Sequence, residues 1–282
     1  MQPSTAAPIR LGLIGNVIGR SRAPRLHELA GRLTGLEISY DLMDLEDDDP
    51  TRFETVLAGC GQDGRRGVNV TFPYKERAAA TVPVDDAAVR RIGAVNTVLF
   101  REGVAVAGHN TDHSGFIAAY RGRYGGAAPG RVAVIGAGGV GRPVIAGLQS
   151  LGAKNINVFD IDKKRARRLA ADLGEGAAPI RVCTCPEEAL DGADGIVNAT
   201  PVGMYRFPGL PMPQDAIGRP AWAFDVIYTP LETEFLALAA AAGAEVMGGY
   251  ELFIHQGIDA FRHFTGREVD EQALRSALAA EA

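Results

Sequence analysis

The stretch Val132-Ala133-Val134-Ile135-Gly136-Ala137-Gly138-Gly139-Val140-Gly141 decides how this chain is read. Four apolar residues read as a buried strand. The glycines that follow satisfy G-x-G-x-x-G, and a helical pattern runs on to about Leu151. Glycines there allow a tight turn, close approach of backbone N–H groups to a pyrophosphate, and close helix–strand packing. Pro143 falls in the first helical turns, where a missing N–H costs little, and Gly152 suits the helix end. A lone glycine motif is weak evidence; the strand before it and the helix after it give it weight. Gly136, Ala137, Gly138, Gly139, Val140 and Gly141 are therefore the expected cofactor loop of a Rossmann-like unit. The next strand ends at Asp160, about twenty residues further on, where a carboxylate accepts hydrogen bonds from ribose hydroxyls and repels a 2′-phosphate. NAD is expected over NADP on that ground. Lys163, Lys164, Arg165, Arg167 and Arg168 oppose it in charge. A solvated helix face is the plain reading for most of them, with Arg165 the one expected to lie against the adenosine.

Working outward, short apolar runs recur: Ile9–Ile14, Val68–Thr71, Ala94–Phe100, Ile156–Asp160, Gly195–Ala199, Phe224–Tyr228 and Ala244–Met247. Helical stretches such as Lys163–Leu173 and Glu234–Ala242 lie between them. Strand–helix alternation predicts parallel α/β sheets with right-handed crossovers. The glycine- and alanine-rich segment Gly122–Gly130 precedes a fresh buried strand and is the expected boundary. Residues 1–121 are then a first domain and 122–249 the Rossmann-like one. The helical tail, 250–282, is expected to pack back on the first domain.

The 282-residue chain is 46% hydrophobic and 22% charged, with net charge -5. The composition is that of a globular protein, and the basic footprint of a nucleic-acid binder is missing. Met1–Pro8 lacks the charged and apolar regions of a signal peptide, and no apolar run is long enough to span a bilayer. Cys60, Cys183 and Cys185 are an odd count, the last two too close for an easy disulfide, so reducing cytoplasm is the expected compartment. The Cys183-Thr184-Cys185 spacing is poor for zinc, and His109 and His113 stand where a loop enters a helix, so no metal is expected. His27 and His255 are read as structural.

Val68-Asn69-Val70-Thr71-Phe72-Pro73-Tyr74-Lys75 reads as a strand running into a helix, with Phe72 as N-cap and Pro73 first in the helix. Lys75 then sits in the first turn, where the helix dipole disfavours its charge, which makes it a candidate for function. This segment resembles the N-V-T-x-P-x-K motif of the shikimate/quinate dehydrogenase family. Further segments follow in the family's order: Ala94-Val95-Asn96-Thr97, Gly108-His109-Asn110-Thr111-Asp112, Asn198-Ala199-Thr200-Pro201-Val202-Gly203-Met204, and Asp225-Val226-Ile227-Tyr228-Thr229-Pro230. Gln256 falls at the family's glutamine.

The resemblance implies an N-terminal α/β substrate domain and a Rossmann-like NAD-binding domain with a central cleft. It also implies reversible oxidation of a ring hydroxyl on a small cyclic hydroxy-carboxylic acid, quinate or shikimate. Lys75 and Asp112 match the family's catalytic pair. Ser21, Thr71, Asn96, Tyr228 and Gln256 match its substrate positions, and Thr200, Pro201, Val202, Val226 and Gly249 extend its cofactor site. The chemistry asks for these types: a lysine of lowered pKa can take the hydroxyl proton, and a carboxylate can orient it. One departure stands out, since Ser21-Arg22-Ala23-Pro24 keeps one hydroxyl of the family's S-x-S/T-P and replaces the other with Ala23. A lost hydrogen bond to a carboxylate is worth ~1.5–3 kcal/mol. Either Arg22 or water compensates, or the pocket suits an extra hydroxyl beside the carboxylate, as in quinate. An aminoshikimate-type substrate and a non-catalytic NAD- or quinate-sensing module are the alternatives; the presence of both Lys75 and Asp112 argues against the sensor. The expected assembly is a monomer or homodimer, with no membrane partner.

Overall fold

The computed structural model of the protein describes residues 7–45, 50–174 and 176–280. Residues 1–6, on which the signal-peptide reading bears, lie outside that range. The chain forms two compact units, one of Met1–Thr111 with Gly257–Ala282 and the other of Asp112–Gln256. The division falls at the head of the helix Thr111–Tyr124 rather than in Gly122–Gly130, because that helix, which reaches the expected boundary segment only with its last residues, belongs with the second unit.

In the first unit the order is β1 (Ile9–Gly15), α1 (Ala23–Leu33), β2 (Ile38–Asp44), α2 (Pro50–Gln62), β3 (Gly67–Val70), α3 (Lys75–Thr81), α4 (Ala87–Ile92), β4 (Thr97–Arg101) and β5 (Val104–His109). Its sheet runs β2-β1-β3-β4-β5. β1 pairs in parallel with β2 and β3, but β4 is antiparallel to both β3 and β5. The expectation of parallel pairing throughout fails here for a local reason. Glu102 (φ 51) and Gly103 (φ +83) make a two-residue turn with both central residues left-handed, which joins antiparallel strands and cannot make a crossover. The core on one side gathers Ile14, Phe53, Leu57, Val68, Tyr74 and Val98, with Phe53 stacked on Tyr74 at 5.0 Å. On the other, Leu11, Leu13, Ile18 and Tyr40 pack with Ala260 and Phe264 from the tail. Each such side chain contributes roughly 1.5–3 kcal/mol on burial. Gly67 is required there, since an added Cβ would lie 2.5 Å from the Phe264 ring.

α5 (Thr111–Tyr124) leads into the second unit, which holds β6 (Arg131–Ile135), α6 (Gly141–Ser150), β7 (Asn155–Phe159), α7 (Lys163–Leu173), β8 (Ile180–Val182), α8 (Pro186–Leu190), β9 (Gly195–Asn198), β10 (Trp222–Asp225), α9 (Glu234–Ala241) and β11 (Glu245–Met247). All six strands are parallel, in the order β11-β10-β9-β6-β7-β8. That is the doubly wound arrangement, and it reverses between β6 and β9, the place where such sheets open to a ligand. β10 is displaced toward the N-terminus from the expected Phe224–Tyr228, because the Ile227 N–H turns back to the Asp225 side chain. The helical tail forms two helices, α10 (Gly249–Thr265) and α11 (Glu271–Ala279), separated at Gly266 (φ +67) and restarted where the Asp270 side chain accepts the Ala273 N–H. Among the described residues no helix is long and apolar enough to cross a membrane.

Candidate active site

In the second unit the glycine loop leaves β6 at the switch point. Gly136 has φ +107, and an added Cβ would sit 2.6 Å from the Ala199 carbonyl oxygen; at Gly141 it would sit 2.3 Å from that of Gly136. These two glycines are demanded by close packing. Gly138 faces open space, with nothing within 4 Å of where a Cβ would stand. The following helix, α6, has no side-chain cap and no acidic residue in its first turn. With the Arg142 N–H already on the Gly138 carbonyl and no N–H at Pro143, it is the positive dipole end and the N–H groups of the glycine loop just before the helix that face an anion. A bare backbone cradle at the head of an uncapped helix fits the pyrophosphate of a nicotinamide dinucleotide.

Asp160 follows the last residue of β7 and is 8% exposed. Its Oδ2 accepts the N–H of Ala137, in the glycine loop, at 2.7 Å, and its Oδ1 accepts the N–H of Asp162 at 2.7 Å. Beyond the two tasks expected of this carboxylate, binding ribose hydroxyls and repelling a 2′-phosphate, it braces the loop. Asp162 in turn caps α7 through the N–H groups of Lys164 and Arg165, whose side chains are exposed.

The next two loops are tied together by residues that the sequence reading quoted without a role. Asn198 Nδ2 donates to the Val202 carbonyl (2.9 Å) and to Asp225 Oδ1 (3.1 Å), and its Oδ1 accepts from the N–H and the hydroxyl of Thr200. Asp225 is fully buried, accepts from the Ile227 N–H and the Thr233 hydroxyl, and has its pKa pushed up to about 6 by burial. Thr200, Pro201 and Val202 are thus held at the carboxyl end of β9. Val226 and Gly249 meet as well: an added Cβ at Gly249 would lie 2.2 Å from the Val226 carbonyl oxygen. Tyr228 stacks on Phe253 at 4.9 Å. Gly115, on α5 one turn after Asp112, lies against the backbone of Gln256 on α10, and Gln256 Nε2 donates to the Phe253 carbonyl.

In the first unit, Lys75 is the first residue of α3 and 7% exposed. The helix starts later than expected, with Tyr74 rather than Phe72 as N-cap. Residues Thr71 to Tyr74 first close a tight turn, with the Tyr74 N–H on the Thr71 carbonyl (2.9 Å) across a cis Phe72–Pro73 peptide. Thr71 bonds back to Ile14 of β1, and the Lys75 carbonyl accepts the Val95 N–H, one residue before Asn96. Ser21 Oγ accepts the N–H of Ala23, the first residue of α1. The loop between Gly15 and Ser21 is held by Asp44, whose two oxygens take the N–H groups of Val17 and Ile18; nothing in the sequence marks this aspartate. Lys75, Thr71, Asn96, Ser21 and Ala23 belong to the first unit, and Asp112, Tyr228 and Gln256 to the second.

The histidines find their own places. His27 is buried, stacks on Tyr40 at 4.9 Å, and has its pKa lowered to about 3 by burial, partly offset by a hydrogen bond with Asn69. His109 stacks on His263 at 3.9 Å, and burial lowers the pKa of both. Among the described residues no three His, Cys, Asp or Glu side chains are grouped as a metal site.

Residues 13–98 match the family described as shikimate dehydrogenase substrate binding domain, and residues 249–279 the shikimate 5'-dehydrogenase C-terminal domain. Residues 131–207 match the family described as NADP oxidoreductase coenzyme F420-dependent. The chain is 38% identical over 275 residues to a shikimate dehydrogenase (NADP(+)) of Streptomyces avermitilis, covering 95% of this chain and 94% of that one. It is 36% identical over 274 residues to a quinate/shikimate dehydrogenase (NAD(+)) of Corynebacterium efficiens, covering 95% and 96%. The structure of a quinate dehydrogenase from Corynebacterium glutamicum in complex with NAD superposes with TM-score 0.86 at 35% identity, over 97% of this chain and 99% of that one. Agreement over the length of both units, with the glycine cradle at the switch point of a doubly wound sheet, means that the chain belongs to the shikimate/quinate dehydrogenase family of oxidoreductases.

Proposed function

We propose that the chain is an NAD-preferring dehydrogenase that oxidises a ring hydroxyl of quinate or shikimate to the 3-dehydro ketone. The observation that carries the cofactor reading is Asp160, a buried carboxylate beside the glycine loop at the carboxyl end of β7. A negative charge there opposes a 2′-phosphate. The NAD(+) named for the Corynebacterium efficiens relative supports the same reading, while the Streptomyces avermitilis relative is named for NADP(+).

When bound, the dinucleotide supplies the hydride acceptor. Lys75 Nζ takes the proton of the reacting hydroxyl, and the Asp112 carboxylate serves as its acid–base partner. Thr71, Asn96, Tyr228 and Gln256 have the donors and acceptors to orient the ring hydroxyls. Ser21 holds the carboxylate, and Ala23, with no side-chain hydroxyl, leaves space for a substituent on the carboxylate-bearing carbon.

The test is the rise in reduced-nicotinamide absorbance with quinate and with shikimate, each with NAD and with NADP. The expected order is NAD over NADP, with quinate used at least comparably to shikimate. Equal or better kcat/KM with NADP overturns the cofactor assignment, and no turnover of either acid overturns the activity.

A further inference from the structure

Behind Asn96 lies a chain of buried side chains with no assigned function. Tyr40 Oη donates to Asn69 Oδ1 at 2.8 Å. Asn69 Nδ2 donates to the Asn96 carbonyl (3.2 Å) and to Thr97 Oγ1 (3.1 Å). Thr97 Oγ1 donates to Asn96 Oδ1 at 3.0 Å, and the Thr111 N–H donates to the same oxygen at 2.8 Å. Asn96 Nδ2 donates to Thr111 Oγ1 at 3.0 Å. Asn69, Asn96, Thr97 and Thr111 are all at most 7% exposed.

The orientation of both amides is fixed by two main-chain groups that cannot reverse, while the Thr111 hydroxyl, also within reach of Asn96 Oδ1 (3.2 Å) and Thr97 Oγ1 (3.4 Å), can turn either way. The Asn96 carbonyl only accepts, so the Asn69 amide must present nitrogen to it and oxygen to Tyr40. The Thr111 N–H only donates, so the Asn96 amide must present oxygen there. Thr97 stands between, accepting a hydrogen bond from Asn69 and donating its own to Asn96. The second hydrogen on Asn96 Nδ2 is then left without a partner among the described residues. A reversed amide would set two donors against each other in a buried site, at the cost of an unsatisfied group.

We propose that Thr97, backed by Asn69 and Tyr40, is a positioning residue that locks the Asn96 amide with one Nδ2 hydrogen reserved for a ring hydroxyl of the substrate. The inference rests on the reading of Asn96 as a substrate ligand. None of the three need touch the substrate; they set what Asn96 offers it.

The test compares Thr97→Val, which keeps shape and removes the hydroxyl, with Thr97→Ser, which keeps the hydroxyl. In Thr97→Val the KM for the acid rises about 10-fold, the scale of one buried hydrogen bond, with the KM for NAD unchanged. Thr97→Ser restores the wild-type value. Hydrogen exchange at the Thr111 amide, which needs no substrate, speeds up in Thr97→Val and not in Thr97→Ser. If Thr97→Val does not fold, Tyr40→Phe cuts the chain at its far end and should move both readouts the same way by a smaller factor. An unchanged acid KM in an active enzyme overturns the inference, whatever the change in Tm. If the wild type turns over neither acid, the proposed function fails, and exchange at Thr111 decides this inference alone, with no change overturning it.

Discussion

Replacing Asp160 with asparagine separates two tasks held by one carboxylate. In the folded protein each oxygen accepts one backbone N–H, from Ala137 and from Asp162, both at 2.7 Å. Asparagine offers a single oxygen, so one of those N–H groups must face an NH2 in a site that is 8% exposed. Leaving a buried donor unsatisfied costs ~1–3 kcal/mol. If the orphan is Ala137, that cost falls on the glycine loop and must be met again when the pyrophosphate settles. NADH is therefore expected to bind about 10- to 100-fold more weakly, each factor of ten being about 1.4 kcal/mol. NADPH should lose less, because the substitution also removes a negative charge that opposes the 2′-phosphate, so the preference for NADH narrows. Fluorescence titration with both reduced cofactors measures this. Asp162→Asn is the control: that side chain accepts the Lys164 and Arg165 N–H groups at the head of α7, and NADH affinity should hold. NADH binding in Asp160→Asn within about twofold of wild type, a difference below ~0.5 kcal/mol, would show that the carboxylate does not organise the loop. An unchanged ratio of the two affinities would remove it as the discriminator.

Three further outcomes are expected. Lys75→Ala should lower turnover by ~10²–10⁴, the range of general acid–base catalysis, while NADH titration stays near wild type; ordinary turnover would remove Lys75 from the mechanism. Ala23→Ser should raise kcat/KM for shikimate relative to quinate by roughly 10-fold, less whatever a displaced water had contributed, and an unchanged ratio would mean that position 23 does not set specificity. His27 has a folded pKa of about 3 against an ordinary 6.5, so below pH 6.5 the unfolded chain binds a proton that the folded one refuses. Stability is then lost as pH falls, by about 1.4 kcal/mol per pH unit. His27→Phe keeps the ring on Tyr40 and should flatten that slope between pH 6.5 and about 4.5 in urea titrations; parallel slopes for the two proteins would refute it.

What was legible in the sequence was whatever repeats a local rule. The run Val132–Gly141 carries its strand, turn and helix start in consecutive residues, and α7 ends at Leu173, where its pattern of buried Ala166, Leu169 and Leu173 stops. The ordered motifs name Thr71, Lys75, Asn96 and Asp112 as expected site residues. β2 escaped because Ile38–Asp44 alternates poorly and carries two aspartates; its parallel register on β1, from Ile9 opposite Ile38 to Gly15 opposite Asp44, is what makes it a strand. β5 escaped because small residues such as Ala105, Ala107 and Gly108 give little pattern, and only the Glu102–Gly103 turn announces it. Asp44, Asn69 and Asp225 escaped as site residues for a shared reason: each acts through partners far away in sequence, which spacing along the chain does not encode.

The tail has a consequence for how the protein is made. Phe264 and Ala260 complete the core that begins with Leu11 and Leu13, and α11 packs on α1. A ribosome delivers Leu11 long before Phe264. The second unit, Asp112–Gln256, is continuous in sequence and can close while translation proceeds. The first unit cannot, and its sheet waits with an unfilled apolar face until Ala260 and Phe264 emerge. Order of synthesis and order of completion are therefore reversed: of the two units, the one begun first is the one closed second.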